Sequence, residues 1–276
     1  MGRGVLSSFQ GNADASNSAC EVSGAPFKGI EGALRVQDGQ GAIGKTPAAQ
    51  RSVVKVMMVH GIGSHHPGYS GRTTANLTAA LGLDVHAPQV KSINIPSAVD
   101  PSISLGTLTL QRFSDNALER ELLVYELTWS RISDPARANL RFDTSQVHSR
   151  NRARLNQLGK GFVNDVLVDP LVYVGVGHDQ ILSSVRQGLC WVYSTDWDGF
   201  PTQPETCGET DPRLGSRVEQ DQFFFVTHSL GSKILLEALE STAQGLTAQQ
   251  DTNPLAIPFR TAWQNHTPTV FMMANQ

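Results

Sequence analysis

The chain has 276 residues, a formal charge of −3 and 39% hydrophobic side chains. That length suits one large α/β domain with insertions, and so even a charge balance argues against nucleic acid or a strongly charged partner. No stretch reaches the ~18 apolar residues that a membrane-spanning helix needs. Cys20, Cys190 and Cys207 are the three cysteines. A Cys190–Cys207 disulfide is conceivable in an exported protein, but an odd count speaks against a disulfide framework, and none of the three has metal-like spacing.

Residues 1–50 are rich in Gly, Ser, Ala, Asn and Gln and show no sustained apolar period, so they read as a flexible leader. No continuous apolar segment follows Arg3, which argues against a secretory signal. A cytoplasmic location is the default expectation, with export if the true amino terminus differs.

Val53–Val59 is a strand-like run that ends in His60-Gly61-Ile62-Gly63. A buried strand entering a glycine-rich loop brings backbone amides to the carboxyl edge of a sheet, where open α/β folds carry their sites. Gly61 and Gly63 let this loop approach a substrate without a Cβ in the way. His65-His66, with His60 nearby, invites a metal reading, but the three lack a spacing that would converge them. No metal and no cofactor are therefore expected, and His60 is assigned to bracing the loop.

Tyr69–Leu81 has helical spacing through Ala75, Leu77, Ala80 and Leu81. Gln89–Ile95 and Gly106–Arg112 read as short strands, and Leu122–Trp129 as a stronger one. Residues 129–216 then interrupt the alternation. Asp143–Val168 has a long helical pattern with Arg150, Arg152, Arg154 and Lys160 on it, ended by Pro170, and Gln180–Tyr193 begins another helix. The four basic side chains could meet anionic lipid headgroups at a peripheral membrane contact, although a solvated helix face is the reading preferred. Asp196–Ser216 is a polar loop with Pro201, Pro204 and Pro212.

The stretch Gln222–Leu239 organises the rest. Phe223–Val226 is too short for a helix and rich in aromatic side chains, as in a strand buried on both faces, and Ile234, Leu235, Leu236, Ala238 and Leu239 have helical spacing. Between them lies Thr227-His228-Ser229-Leu230-Gly231. A serine on such a bend has its hydroxyl raised above the sheet edge, with the free N–H groups and positive dipole end of the helix behind it. The usual spelling is G-x-S-x-G, and Thr227 stands at the first glycine. The alternative is an ordinary strand–turn–helix with a serine N-cap. Acyl transfer needs two N–H donors, one just after the nucleophile and one from a separate loop. Leu230 and Ile62 are the residues in those positions. Pro268–Ala274 reads as the next core strand.

The pair VHGIG and THSLG resembles the α/β-hydrolase superfamily, with a spelling similar to small bacterial lipases. The resemblance covers residues 53–83 and 223–276 and hardly touches the middle. It implies a three-layer sandwich with a mostly parallel central sheet, core at 51–128 and 217–276, and a helical cap at 129–216 over the serine. It also implies a nucleophile at Ser229, oxyanion amides at Ile62 and Leu230, supporting roles for His60, Gly61, Gly63, His228 and Gly231, and an ester or lipid substrate.

In that fold the acid and histidine follow the serine. His266 is the one histidine after Ser229. It precedes the last strand and so belongs at the far edge of the sheet, about 20 Å away at ~3.3 Å per residue. Glu237 and Glu240 fall on the elbow helix, and Asp251 precedes the strand. The expectation is thus a domain incomplete at its carboxyl end, with acid and histidine beyond Gln276. The alternatives are a non-catalytic binding protein of the same fold, or a peptidase, thioesterase or acyltransferase using the same machinery.

Overall fold

A computed structural model describes residues 29–37, 53–115, 120–142, 167–208, 211–248, 259, 261 and 268–274. Its centre is β1 (Val54–Val59), a run in which every residue is buried. Parallel neighbours flank it: β4 (Arg120–Thr128) on one side and β5 (Gln222–His228) on the other. Beyond β5 lies β6 (Thr269–Met273), also parallel. Beyond β4 come β3 (Ser104–Asp115) and β2 (Asp84–Pro96), each antiparallel to its neighbour. The six-stranded order is β2-β3-β4-β1-β5-β6, and β3 alone runs against the others. The domain is α/β with a mostly parallel sheet.

Strand periodicity of two sends alternate residues of β1 to opposite faces. Val54, Val56 and Met58 join Leu122, Val124 and Phe224 in one apolar cluster. Met57 and Val59 join Tyr125, Leu127, Phe223 and Phe225 in the other. Helices cover both. α1 (Ile30–Gln37) and α2 (Gly71–Ala80) bring Ala33, Leu34 and Leu77 to the first face. α5 (His178–Ser194) and α6 (Leu230–Ala248) bring Val185, Leu189, Ile234 and Leu235 to the second. α3 (Asp134–Phe142), preceded by a 3₁₀ turn at Ser130–Ser133, and α4 (Val168–Val174) complete the helices named here.

Several expectations change. The supposed leader carries α1, where Ile30, Ala33 and Leu34 form a short i, i+3, i+4 stripe, and Leu34 is fully buried. The two short strands are longer, 13 and 12 residues, because they form an antiparallel pair whose outer ends continue past the core. α5, expected in a cap, is a layer of the sandwich: Ile181, Val185 and Trp191 are buried. It crosses β1 so closely that a Cβ on Gly188 would lie 2.9 Å from Met57 Cε. Pro170 does not end a helix. It sits in the first turn of α4, where a missing N–H costs nothing. Residues 143–166, including the four basic side chains, lie outside the described residues. Cys190 and Cys207, undecided from sequence, are joined in a disulfide that ties α5 to the loop after it.

Two lone charges sit inside the buried strands, and each has a partner. Lys55 of β1 pairs with Asp221 at 2.7 Å and donates to the Val192 and Thr195 carbonyls. Asp221 also pairs with Arg217 and accepts from the Val53 N–H, so the group ties α5 to the start of β1 and β5. Burial pulls the Lys55 pKa down, and the Asp221 carboxylate works against that shift. Glu126 of β4 is wholly buried. It accepts from the Gly68 and Ser70 N–H groups and from the Ser70 hydroxyl, just before α2.

Candidate active site

Because β1, β4 and β5 are parallel and in register, Val59, Leu127 and Thr227 lie side by side. The segments that leave those strands therefore emerge at one sheet edge. They carry the His60 loop, Trp129 and Ser229.

Ser229 sits between the end of β5 and the start of α6 with φ +49°, a left-handed backbone that a non-glycine residue adopts at a cost. Its own N–H donates to the Met273 carbonyl of β6, and its carbonyl accepts from the Ser232 N–H. The residue is partly exposed. Thr227, where a glycine is usual, turns its hydroxyl into the protein and shares a 2.7 Å hydrogen bond with Ser232. This buried contact is why the larger residue is accommodated.

The elbow and the loop interlock. A Cβ on Gly61 would lie 2.5 Å from the His228 carbonyl and 2.9 Å from Ser229 Cβ. A Cβ on Gly231 would lie 2.7 Å from the Val59 carbonyl and closer still to that of His60. Each loop thus presses a glycine against the other's backbone. Leu230 is the first residue of α6, so its N–H has no partner within the helix. Among the described residues, no group accepts a hydrogen bond from the N–H of Ile62 or Leu230.

The His60 loop is held from three sides. His60 stacks on Trp129 at 4.7 Å with the rings 13° apart. The Trp129 N–H donates to His60 Nε2, so Nδ1 carries the proton and donates to the Gly61 carbonyl at 2.8 Å. The indole N–H of Trp129 donates to the His60 carbonyl. Burial pushes the His60 pKa down to about 3, although the Gly61 hydrogen bond works against that shift. His60 is therefore a neutral brace. Gly63, φ +111°, donates its N–H to Asp169 Oδ2 of α4 at 2.6 Å. The Ser130 hydroxyl donates to the His65 carbonyl at 2.7 Å, and Tyr69 donates to the Met58 carbonyl at the end of β1.

The structure thus brings together Ser229, Leu230, His228, Gly231, His60, Gly61, Ile62 and Gly63. Among the described residues, no histidine is hydrogen-bonded to the Ser229 hydroxyl. His266 and Asp251 lie outside them. Glu237 and Glu240 are on α6 as expected. Glu237, two turns along the helix from Ser229, is bonded to Lys233, Tyr173 and His178. Those hydrogen bonds, led by the one from Lys233, bring its pKa down to about 2.

Asp169, Arg137, Trp129, Ser130 and Tyr69 are the supporting residues that sequence reading missed. Asp169 precedes a proline and Arg137 belongs to no motif, so neither carries a local signal. Compared with protein-family models, with curated proteins and with solved structures, the chain matches none at a significant level.

Proposed function

We propose that this chain has the α/β-hydrolase fold and is a serine hydrolase of carboxylic esters, lipase- or esterase-like. Ser229 Oγ attacks the acyl carbon and its proton passes to a general base. The ester C–O bond breaks, and the leaving alcohol oxygen takes up that proton. Water then repeats the sequence on the acyl-enzyme, releasing the acid and restoring the hydroxyl. The N–H groups of Ile62 and Leu230 stabilise the oxyanion in both halves.

The observation that carries the reading is the left-handed Ser229 at the head of α6 with Gly61 packed on its side chain. A strained backbone at such a junction persists where the surroundings fix it, and it clusters at functional positions. Ile62 and Leu230, whose N–H groups have no acceptor among the described residues, directly follow Gly61 and Ser229 in the chain. An apolar acyl group is in keeping with the exposed Leu171, Val174 and Val176 on and just after α4, the helix whose Asp169 reaches Gly63. The same side chains suit peripheral contact with a lipid surface. The Cys190–Cys207 disulfide fits a compartment that sustains such bonds.

One observation favours a second reading, a non-catalytic binding protein of the same fold: no described histidine contacts the Ser229 hydroxyl. A fluorophosphonate probe on the full-length gene product separates the two. Labelling mapped to Ser229 and lost in Ser229→Ala is expected for the hydrolase. Folded protein that takes up no label would overturn it in favour of the binding protein.

A further inference from the structure

We infer that Asp169, held by Arg137, is a positioning residue for the oxyanion loop. The inference rests on the serine-hydrolase reading of the site. Gly63 N–H reaches Asp169 Oδ2 at 2.6 Å, across 106 positions of sequence. The same carboxylate receives Arg137 Nη2 on both oxygens, at 2.5 and 2.6 Å. Asp169 is 1% exposed and Arg137 4%, so both charges are out of water.

A buried ion pair is weak evidence for stability, because desolvation offsets much of the attraction. A bond from that pair to one backbone amide of a glycine loop is better explained by positioning. The Gly63 N–H belongs to the same peptide plane as the Ile62 carbonyl. That carbonyl is in turn 3.2 Å from His65 Nε2. The Ile62 N–H shares its peptide plane with the Gly61 carbonyl, which His60 Nδ1 bonds, so the planes on both sides of Ile62 are held. Glycines supply the loop's shape but also its freedom. The carboxylate removes that freedom.

The guanidinium has a separate part. A bare carboxylate one residue from an oxyanion donor would repel the charge that develops there. Arg137 neutralises it, and Oδ2, which also receives Arg137 Nη2, has a second lone pair for the Gly63 N–H. Arg137 Nη1 also lies 3.4 Å from the Ser130 carbonyl, and the Ser130 hydroxyl bonds the His65 carbonyl. The start of α3 and the head of α4 are thereby tied to both halves of the loop.

Two double variants of the full-length gene product test this. Arg137→Met/Asp169→Asn removes both charges but keeps an acceptor for Gly63. Arg137→Met/Asp169→Leu removes the charges and the acceptor together, and replacing a buried pair with apolar groups usually leaves a protein folded. With a fluorophosphonate probe, the Asn variant should label at a rate within about threefold of wild type. The Leu variant should fall about 100-fold in the maximal labelling rate with unchanged probe affinity, as expected of a misplaced loop. A merely structural role would lower the amplitude of labelling, through unfolded protein, and leave the rate of the folded fraction alone. Equal rates in the two variants would overturn the inference. Hydrogen exchange over residues 60–66 reads the clamp without any activity. Protection should be lost in the Leu variant and kept in the Asn variant, and unchanged protection in both would overturn the clamp even if labelling fell. A wild-type protein that takes no label yet shows this exchange pattern would remove the hydrolase reading and leave the clamp standing; lost catalytic positioning would then be overturned with that reading.

Discussion

His60 offers the sharpest test of how the loop is held. Its ring lies against Trp129, accepts from one backbone N–H on Nε2 and is 2% exposed. A second proton would put an N–H on the nitrogen that must accept, in a place where water cannot solvate the charge. Its folded pKa of about 3, set chiefly by burial, lies below the value of 6.5 it has when unfolded. A depressed folded pKa gives stability that is present above 6.5 and lost as pH falls from there towards 3, because the unfolded chain takes up the proton first. At about 1.4 kcal/mol per unit, the loss between neutral pH and pH 5 is about 2 kcal/mol. That figure depends on the unfolded value and hardly on the folded one, provided the latter is below 4. His178 works the other way, since its hydrogen bonds to Asp179 and Glu237 raise its pKa. The difference between wild type and His60→Gln removes that and every other shared contribution. Urea unfolding of both proteins at pH 7, 6 and 5 should therefore show wild type losing about 2 kcal/mol more than the variant, even though the variant starts lower. Parallel curves would mean that His60 is solvated or already charged in the folded protein, and the brace would have to be abandoned.

The glycine contacts predict that Gly61→Ala and Gly231→Ala each cost about 1–3 kcal/mol, because the new methyl meets backbone that cannot rotate away. Each should also slow fluorophosphonate labelling by about 100-fold, read as a rate on folded protein. Ser229→Gly should end labelling yet raise the thermal midpoint, since a glycine relieves a left-handed backbone by about 1 kcal/mol. A lower midpoint would argue that the serine side chain holds the elbow together. Reduction of Cys190–Cys207, which closes a separation of 17 residues, should cost about 3 kcal/mol in denaturant titrations with and without dithiothreitol.

What could be read from the sequence follows the range of each signal. β1, the strand before Ser229 and the helix after it were legible because an apolar run, a glycine turn and a helical period adjoin one another. The helix His178–Ser194 was legible too, but not its place. Periodicity identifies a helix and its apolar face, and the same pattern serves a cap or a sandwich layer. α1 was missed because a stripe of only three apolar positions, Ile30, Ala33 and Leu34, is too short to stand out. The Arg137–Asp169–Gly63 and Lys55–Asp221–Arg217 groups join segments far apart in sequence, and no local pattern records them. A trace was present all the same. Lys55 within VVKVMMV and Glu126 within LLVYELTW are lone charges in runs that read as buried, and a charge there demands a partner.

The two pentapeptides could be read together, despite their separation, for a reason that the register makes explicit. β1 and β5 are adjacent and parallel, with Val59 opposite Thr227. Strands so paired stand about 4.8 Å apart, so segments leaving them at the same level cannot both carry side chains where they pass. The conflict is relieved twice and reciprocally, by Gly61 under Ser229 and by Gly231 under His60. A glycine two places after the end of β1 and one two places after the serine are thus consequences of one pairing. If either strand slipped by one residue, the elbow and the loop would lose their fit together, since every side chain of that strand would change face. The disposition of Ser229 towards the Ile62 and Leu230 amides is therefore set by the β1–β5 register. Trp129 and Asp169 then hold, from just after β4 and from α4, a loop whose height the sheet has already fixed.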